Sequence, residues 1–572
     1  MFWLALEEEL MTNHTKDNVL SFLQDKTNEY GSRIALGMRS NFGWSEFTYD
    51  GLSKMAKQVA SYLIYGLEVK KEEHIAILSE SRIEFGAAFF ATVIAGATFI
   101  PLDIKLTEHE LISIMSNCNP TTIFVSNNYL NTVLKIKETI TSIKNIILLD
   151  DTHEGSDYVS VYNLPECNQK AKYRQRGLNS NALIIYTSGT TGKPKGVQIT
   201  FKNILSQIKD IKIEMHRIFK PNEHINAMSI LPMNHLFEFS ASFSTFLSMG
   251  YSIYYTKSLR PKDVLSIMRD KQISFMCTVP SFFKMLKMQF EAEVSKKSKF
   301  KRFIYNIKFH YIAKFLPFMS LKKLLFRDIH AEFGNKFYGF LSGGAPLDLD
   351  MAKYFNRIGI KVHQGYGLSE ASPVVTYGLR KGVDIKSVGT LLESFEAKID
   401  PETGELLVKG PAVMKGYYKQ EELTREVIDS NGWLHTGDIA HINKKGEVYI
   451  TGRIKNMIVL SGGKKVFPEE IEAVMDESDL IKEVCALSVK KQTGEKKGTE
   501  EVSIVVVPKD DLYEKYDAET VKNLVVAEVK KLSLKLSQFK RPTNIIVSKE
   551  ELPKTATKKV KRREVQELAL SI

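Results

Sequence analysis

The sequence predicts an α/β protein, with a large N-terminal domain of layered α/β subdomains carrying a small β-rich subdomain, followed by an α+β C-terminal domain. Three observations support this. The chain has 572 residues, too many for one hydrophobic core and enough for about two to four domains. From about residue 45 to 380, apolar strand-like runs alternate with helical patterns, which is the pattern of layered, largely parallel sheets. From about 385 to 450 short strands follow one another quickly, and after Arg453 strands and helices mix again in a segment of domain size. The boundaries so drawn are 1–453 for the N-terminal domain, about 385–450 for its β-rich subdomain, and 454–572 for the C-terminal domain.

The strand-like runs come in order as His74-Ile-Ala-Ile-Leu78, Thr122-Ile-Phe-Val125, Asn145-Ile-Ile-Leu-Leu149 and Ser252-Ile-Tyr-Tyr255. Residues 85–102 contain no charge and are long enough to cross a bilayer. Gly86, Gly96, Pro101 and the lack of basic flanks speak instead for a buried helix over 84–94 that turns at Ala95-Gly96 into a strand at 98–100. Pro401-Glu-Thr-Gly404 and Asn443-Lys-Lys-Gly446 are turn signals between the short strands. Beyond Arg453 the pattern predicts a strand at 457–460, a helix at 468–476, strands at 484–489 and 502–507, and a helix near 518–536.

Hydrophobic content of 43% with 26% charged residues is ordinary for a globular protein. The N-terminus is acidic just after a short apolar run, the opposite of a secretory signal. Cys118, Cys167, Cys277 and Cys485 lie far apart, implying neither a zinc site nor a disulfide framework, as fits a reducing compartment. The expected location is therefore cytoplasmic.

Charge is concentrated. Residues 296–327 hold ten Lys or Arg and no Asp or Glu, against a formal +12 for the whole chain. Phe303, Ile307, Tyr311 and Phe315 recur there at helical spacing beside a polar stripe of Asn306, His310 and Lys314. A basic amphipathic helix with aromatics is a membrane-surface signature. A helix packed on its own domain with solvated lysines fits equally well. Nucleic acid is not expected, because the charge is local and no nucleic-acid motif accompanies it.

The most informative stretch is Tyr186-Thr-Ser-Gly-Thr-Thr-Gly-Lys-Pro-Lys-Gly196. It follows the apolar run Ala182-Leu-Ile-Ile185 and so reads as a strand opening into a loop. Glycines and small hydroxyl residues with Lys193 and Lys195 make a phosphate cradle, since glycine lets the backbone approach an anion and the cations neutralise it. It is not a Walker A loop, because Pro194 stands where that motif needs Ser or Thr. Further motifs follow: Leu231-Pro-Met-Asn-His-Leu-Phe-Glu238, Ser342-Gly-Gly-Ala-Pro346, Gln364-Gly-Tyr-Gly-Leu-Ser-Glu370, Gly432-Trp-Leu-His-Thr-Gly-Asp438, Thr451-Gly-Arg453 and Leu552-Pro-Lys-Thr-Ala-Thr-Lys-Lys559.

In this order, over residues 30 to 565, the motifs resemble those of the adenylate-forming superfamily, and more closely its long-chain fatty-acid–CoA ligases. The resemblance implies ATP or AMP binding by Thr187, Ser188, Gly189, Thr190, Thr191, Gly192, Lys193 and Lys195. It implies the same for Gly343, Gly344, Ala345, Tyr366, Gly367, Ser369, Asp438 and Arg453. Tyr366 would stack on adenine, Ser369 would contact the α-phosphate, and Glu370 would hold Mg²⁺. The family usually has Thr at the position of Ser369; the hydroxyl is kept. Asp438 would accept from both ribose hydroxyls. Lys455 takes the place of the hinge about which a mobile C-terminal domain turns, and Gly462 and Gly463 that of the coenzyme A tunnel. Lys559 falls on the catalytic lysine, although Lys558 replaces the family's glycine before it and is a rival.

The resemblance implies activation of a carboxylate by ATP to an acyl-adenylate, with release of pyrophosphate, then transfer to coenzyme A. His235 would sit at the mouth of the acyl pocket as a catalytic residue. Amino-acid-activating relatives place an acidic residue after Phe here, and Phe237-Glu238 leaves an amino acid open on charge alone. The His-x-Phe-Glu pattern itself is that of the fatty-acid group. An acyl carrier protein could replace coenzyme A as acceptor, and a non-catalytic relative that only binds nucleotide or acyl group is the remaining alternative. Residues 296–327 would then offer contact with the cytoplasmic face of an anionic membrane.

Overall fold

A computed structural model describes residues 19–40, 43–151, 158–167, 169–187, 194–316, 318–380, 382–460, 465–490, 500–554 and 560–571. By packing, the chain divides into two units. The first holds residues 1–385, 389–396 and 409–434; the second holds 386–388, 397–408 and 435–572.

The first unit is built on two large sheets. One has nine strands, ordered Thr390–Leu391, Val374–Tyr377, Lys361–Gly367, Gly339–Ser342, Phe275–Thr278, Asn226–Ser229, Ser252–Tyr255, Ile34–Ser40 and Gly43–Thr48. The six from Lys361–Gly367 to Ile34–Ser40 run parallel, and both edges are antiparallel. The other sheet has eight strands: Gly416–Tyr417, Lys195–Thr200, Asn181–Thr187, Thr98–Leu102, His74–Leu78, Thr122–Val125, Asn145–Leu148 and Val159–Ser160. The alternating strands and helices of the sequence thus do give largely parallel sheets.

The uncharged stretch is a core element. Glu84–Ile94 is a helix in which every residue is buried, and Thr98–Leu102 is the strand that follows. Phe89 and Phe90 meet Phe239 and Phe243 of the π-helical segment Glu238–Ser244, with ring centroids 4.8 to 6.0 Å apart. Burying each such ring stabilises the fold by roughly 1.5–3 kcal/mol, which is why the segment carries no charge. Gly86 is required there, since a Cβ would lie 2.8 Å from Leu36. Among the described residues, no helix is long and apolar enough to cross a membrane.

The basic segment forms helices Lys299–Ile307 and Met319–Leu325, joined through a π-turn at Lys308–Ile312 and a short helix at Ala313–Phe315. Ser298 caps the first, accepting from the Lys301 N–H. The core takes Phe309, Ala313 and Phe326, with Tyr305 packed against them. Phe303, Tyr311 and Phe315 stay outside, at 62%, 69% and 78% exposure.

In the second unit, a four-stranded sheet is ordered Glu396–Ile399, Glu405–Lys409, Leu434–Ile442 and Val448–Arg453. A three-stranded sheet of Ile481–Lys490, Glu500–Pro508 and Asn544–Val547 carries helices Pro468–Met475 and Ala518–Ser533 over a core of Ile471, Met475, Ile504, Val506, Val521 and Val525. Lys455 lies in a 3₁₀ turn, Ile454–Asn456, inside this unit.

Candidate active site

In the first unit the candidate residues gather at one edge of the nine-stranded sheet. Because Asn226–Ser229, Gly339–Ser342 and Lys361–Gly367 belong to one parallel set, their carboxyl ends share that edge. The His235 loop, Gly343–Ala345 and the Glu370 motif follow those three ends. This is where open parallel sheets bind ligands, because the loops after the strands diverge there.

Glu370 sits in a 3₁₀ turn, Ser369–Ala371, just after the strand that carries Tyr366 and Gly367. Gly367 has to be glycine, since a Cβ would fall 1.7 Å from the Pro373 carbonyl oxygen. The Glu370 backbone carbonyl accepts from the Met414 N–H (2.8 Å), and its Oε1 accepts from the Tyr417 hydroxyl (2.8 Å). Tyr417 is buried, and both burial and the Glu370 charge push its phenol well up, so it keeps its proton and donates the hydrogen bond at neutral pH.

Tyr417 also links to the phosphate-loop candidate. Gly416–Tyr417 pairs with Gln198 and Val197, and the Lys195 ammonium lies 5.2 Å from the Tyr417 ring centroid. The strands Asn181–Thr187 and Lys195–Thr200 are antiparallel with Thr187 opposite Lys195, so the expected loop is closed at its base as a hairpin. Ser188, Gly189, Thr190, Thr191, Gly192 and Lys193 lie outside the described residues.

Sequence reasoning passed over Tyr417. Its signal was the Met-Lys-Gly-Tyr-Tyr run at 414–418, which alone looks like any short strand. Removing the hydroxyl with Tyr417→Phe leaves a hydrogen bond to a carboxylate unmade, which is worth about 1.5–3 kcal/mol. On the expectation that Glu370 belongs to an ATP site, the ATP concentration for half-maximal rate should rise about tenfold with the melting temperature little changed. Titration of initial rate against ATP measures this, and an unchanged value would remove Tyr417 from the site.

His235 lies in the loop after Ser229, half-buried, with Nε2 3.9 Å from Asp103 Oδ2. Phe237, two residues on, lies against Gly343, where a Cβ would sit 2.9 Å from its ring. Gly343 donates its N–H to the Thr278 carbonyl (3.2 Å), and Gly344 holds φ of +80° with Ala345 exposed beside it, giving an open rim. Glu238 is fully buried, and desolvation pushes its carboxyl up to about 8 despite the hydroxyls around it. Burial thus favours its neutral form at pH 7, and the side chain has no exposed surface.

In the second unit Asp438 is buried and stands opposite Arg453 on the adjacent antiparallel strand. The pair is two-pronged: Nε to Oδ1 is 2.6 Å and Nη2 to Oδ2 is 3.3 Å. Such a pair fixes the carboxylate in both orientation and charge. The preceding turn is held by Glu405, whose Oε1 accepts from the Gly437 N–H (2.7 Å) and whose Oε2 contacts His435 Nδ1 (2.9 Å). Gly437 holds φ of +71°, a value a glycine adopts without strain. Thr436 Oγ1 donates to the Leu406 carbonyl and accepts from the Asp438 N–H. Glu405 is a second residue the sequence did not single out, since it sits just past a turn signal.

Gly462, Gly463, Lys558 and Lys559 lie outside the described residues. The flanks of the lysine segment pair with each other, Lys554 bridging to Val560 and the Lys561 N–H donating to the Pro553 carbonyl (2.8 Å). Arg562, just beyond, is anchored on Glu472 and the Ala486 carbonyl.

A family model described as AMP-binding enzyme matches residues 23–418, and one described as AMP-binding enzyme C-terminal domain matches residues 455–568. The chain belongs to the AMP-binding enzyme family. It is 27% identical to a long-chain-fatty-acid–CoA ligase of Salmonella typhimurium, over 91% of this chain and 90% of that one. It is also 27% identical to a chloroplastic long-chain-fatty-acid–acyl-carrier-protein ligase of Arabidopsis thaliana, over 91% and 80%. The solved structure of ATP-bound MatB from Rhodopseudomonas palustris superposes with a TM-score of 0.74 at 23% identity, covering 96% of this chain and 98% of that one, a likeness of fold.

Proposed function

We propose that this enzyme joins a long-chain fatty acid to coenzyme A. A carboxylate oxygen attacks the α-phosphorus of ATP and pyrophosphate leaves; the thiol sulfur then attacks the acyl carbon and AMP leaves, the thiol losing its proton. The observation that carries this reading is the match, over nine-tenths of both chains, to a long-chain-fatty-acid–CoA ligase. The enclosure of Glu238 supports it from another side, because an amino-acid substrate would need that carboxylate ionised and exposed.

The residues divide the work. Carboxylate and ATP repel, and negative charge grows at the α-phosphate, so Lys559, Lys195 and Ser369 offset it by position and charge. Tyr366 stacks on adenine, Asp438 braced by Arg453 takes the ribose hydroxyls, and His235 receives the acid at the mouth of its pocket. A single half-exposed carboxylate, Glu370, oriented by Tyr417, suits Mg²⁺, which takes few protein oxygens. When bound, Mg²⁺ neutralises phosphate charge. Turning about Lys455 withdraws Lys559 for the second step, and Gly462 and Gly463 admit the pantetheine arm.

ATP–pyrophosphate exchange across a panel of acids tests the reading, with coenzyme A and holo-carrier protein then compared as acceptors. Strongest exchange with long-chain acids and turnover with coenzyme A is the expected result. Exchange confined to amino acids or short acids overturns it. Turnover with the carrier protein alone would favour the alternative that the Arabidopsis relative represents.

The reading extends to location. Residues 296–327 carry ten cations beside exposed Phe300, Phe303, Tyr311, Phe315, Phe318 and Leu324, an arrangement that fits an anionic bilayer in which fatty acid dissolves. Each cation contributes on the order of 1 kcal/mol at such a surface, and salt shortens the reach from about 10 Å at 0.1 M to about 3 Å at 1 M. We expect the protein to co-sediment with anionic vesicles at low salt. A variant with Lys299, Lys301, Arg302 and Lys308 changed to Gln should lose most of that binding. A variant that sediments as well as wild type would make the segment a solvated face.

A further inference from the structure

We propose that Glu238 is a positioning residue, an internal latch that holds the Leu231–Phe237 loop and thereby sets His235 at the acid site. The role of His235 rests on the ligase reading above; the latch rests on geometry. Glu238 opens the π-helical segment at the far end of the loop and has no exposed surface. Ser229, the last residue of the strand before the loop, donates its hydroxyl to Glu238 Oε2, and the Leu231 N–H donates to that same hydroxyl oxygen (3.2 Å). One hydrogen bond therefore ties the exit of the loop to its entrance, and a second fixes the Ser229 hydroxyl that makes it. Midway, the Met233 N–H donates to Ser81 Oγ (3.2 Å), so the loop spans from one sheet's strand ends to the other's.

The surroundings make the latch depend on a proton. Tyr255 and Cys277 stand in register with Ser229 on the two flanking strands and, with Ser242, line the carboxyl group. Tyr255 and Cys277 are the titratable groups that face it, and burial holds both well above neutrality and uncharged. Among the described residues, the leading influences on Glu238 are burial and the hydroxyls of Ser229, Ser242 and Tyr255, with no charged group among them. An ionised carboxylate here would be buried without a counter-charge, a state that costs several kcal/mol and is relieved by opening the loop. With its carboxyl raised to about 8, the closed latch keeps its proton at pH 7 and loses it in mildly alkaline solution.

The sign for stability follows. The folded-state value lies above the ordinary 4.5, so the contribution is full below about 4.5 and is lost as pH rises through about 8. Glu238→Gln keeps the shape and removes the titration. Across that window the unfolding constant of wild type should rise against the variant by up to tenfold per pH unit.

The decisive measurement is hydrogen–deuterium exchange of the Leu231–Phe237 segment in the full chain, corrected for intrinsic rates, between pH 5 and 10. Wild-type protection should fall by nearly tenfold per pH unit up to about 8 and level off above it, and Glu238→Gln should stay flat. Ser229→Ala should be poorly protected already at pH 7. The kcat/KM for fatty acid should track protection in all three proteins. Identical profiles for wild type and Glu238→Gln, or full protection in Ser229→Ala, overturn the latch. Exchange needs no substrate, so a protein that activates no fatty acid would fail the ligase reading while the latch is still decided.

Discussion

Replacing Lys559 with alanine lowers ATP–pyrophosphate exchange by about a hundred- to thousandfold, the scale of one lost group that stabilises transition-state charge. Thioester formation from supplied acyl-adenylate stays within about threefold of wild type, because on this reading the lysine serves charge that develops only in the first half-reaction. Lys558→Ala should leave both steps intact. Rapid-quench assays of the separate steps distinguish these outcomes. Equal loss in both half-reactions, or a defect confined to Lys558→Ala, would move the role off Lys559.

On the proposed function Glu370 holds Mg²⁺, so Glu370→Gln should cost about a hundredfold in kcat/KM for Mg-ATP, a neutral group replacing a charged one in a site that must neutralise phosphate. The glutamine carbonyl still accepts from Tyr417, so the turn should hold and the melting temperature should barely change. The loss should shrink when Mg²⁺ is raised well above ATP, which a merely structural defect would not do. A thermal shift as large as the kinetic one would mean that Glu370 builds the turn rather than binding the cation. Tyr417→Phe, which keeps the charge, belongs an order of magnitude below it.

The sequence was most legible where periodicity is local. Residues 85–102 resolved into a buried helix and strand because glycines and a proline are incompatible with a continuous span, and the strand-helix order of the C-terminal part followed from contiguous runs. In the basic segment the aromatic stripe at 303, 307, 311 and 315 was visible, but the face that enters the core was not. The face two residues round the helix turns inward instead: the core takes Phe309 and Ala313 with Tyr305 packed against them, and three of the four stripe residues remain outside. Tyr417 was illegible for a different reason. Its bond to Glu370 crosses 47 positions and depends on a two-residue strand finding its partner, which no local pattern encodes. Glu238 was read by its charge, whereas its behaviour is set by what surrounds it.

The hydrogen of Gly343 is all that separates the turn at 343–345 from the ring of Phe237. On the proposed function these are the walls of two different compartments, one for adenine and one for the acid. On that function, a nucleotide pressing on residues 343–345 would push on the Phe237 ring, two residues from His235, and an acid moving the ring would push back. Communication of this kind is reciprocal by thermodynamic necessity: whatever factor ATP imposes on acid affinity, the acid imposes on ATP. A bulkier residue at 343 would wedge the two walls apart permanently, and the two ligands would then bind as strangers to each other.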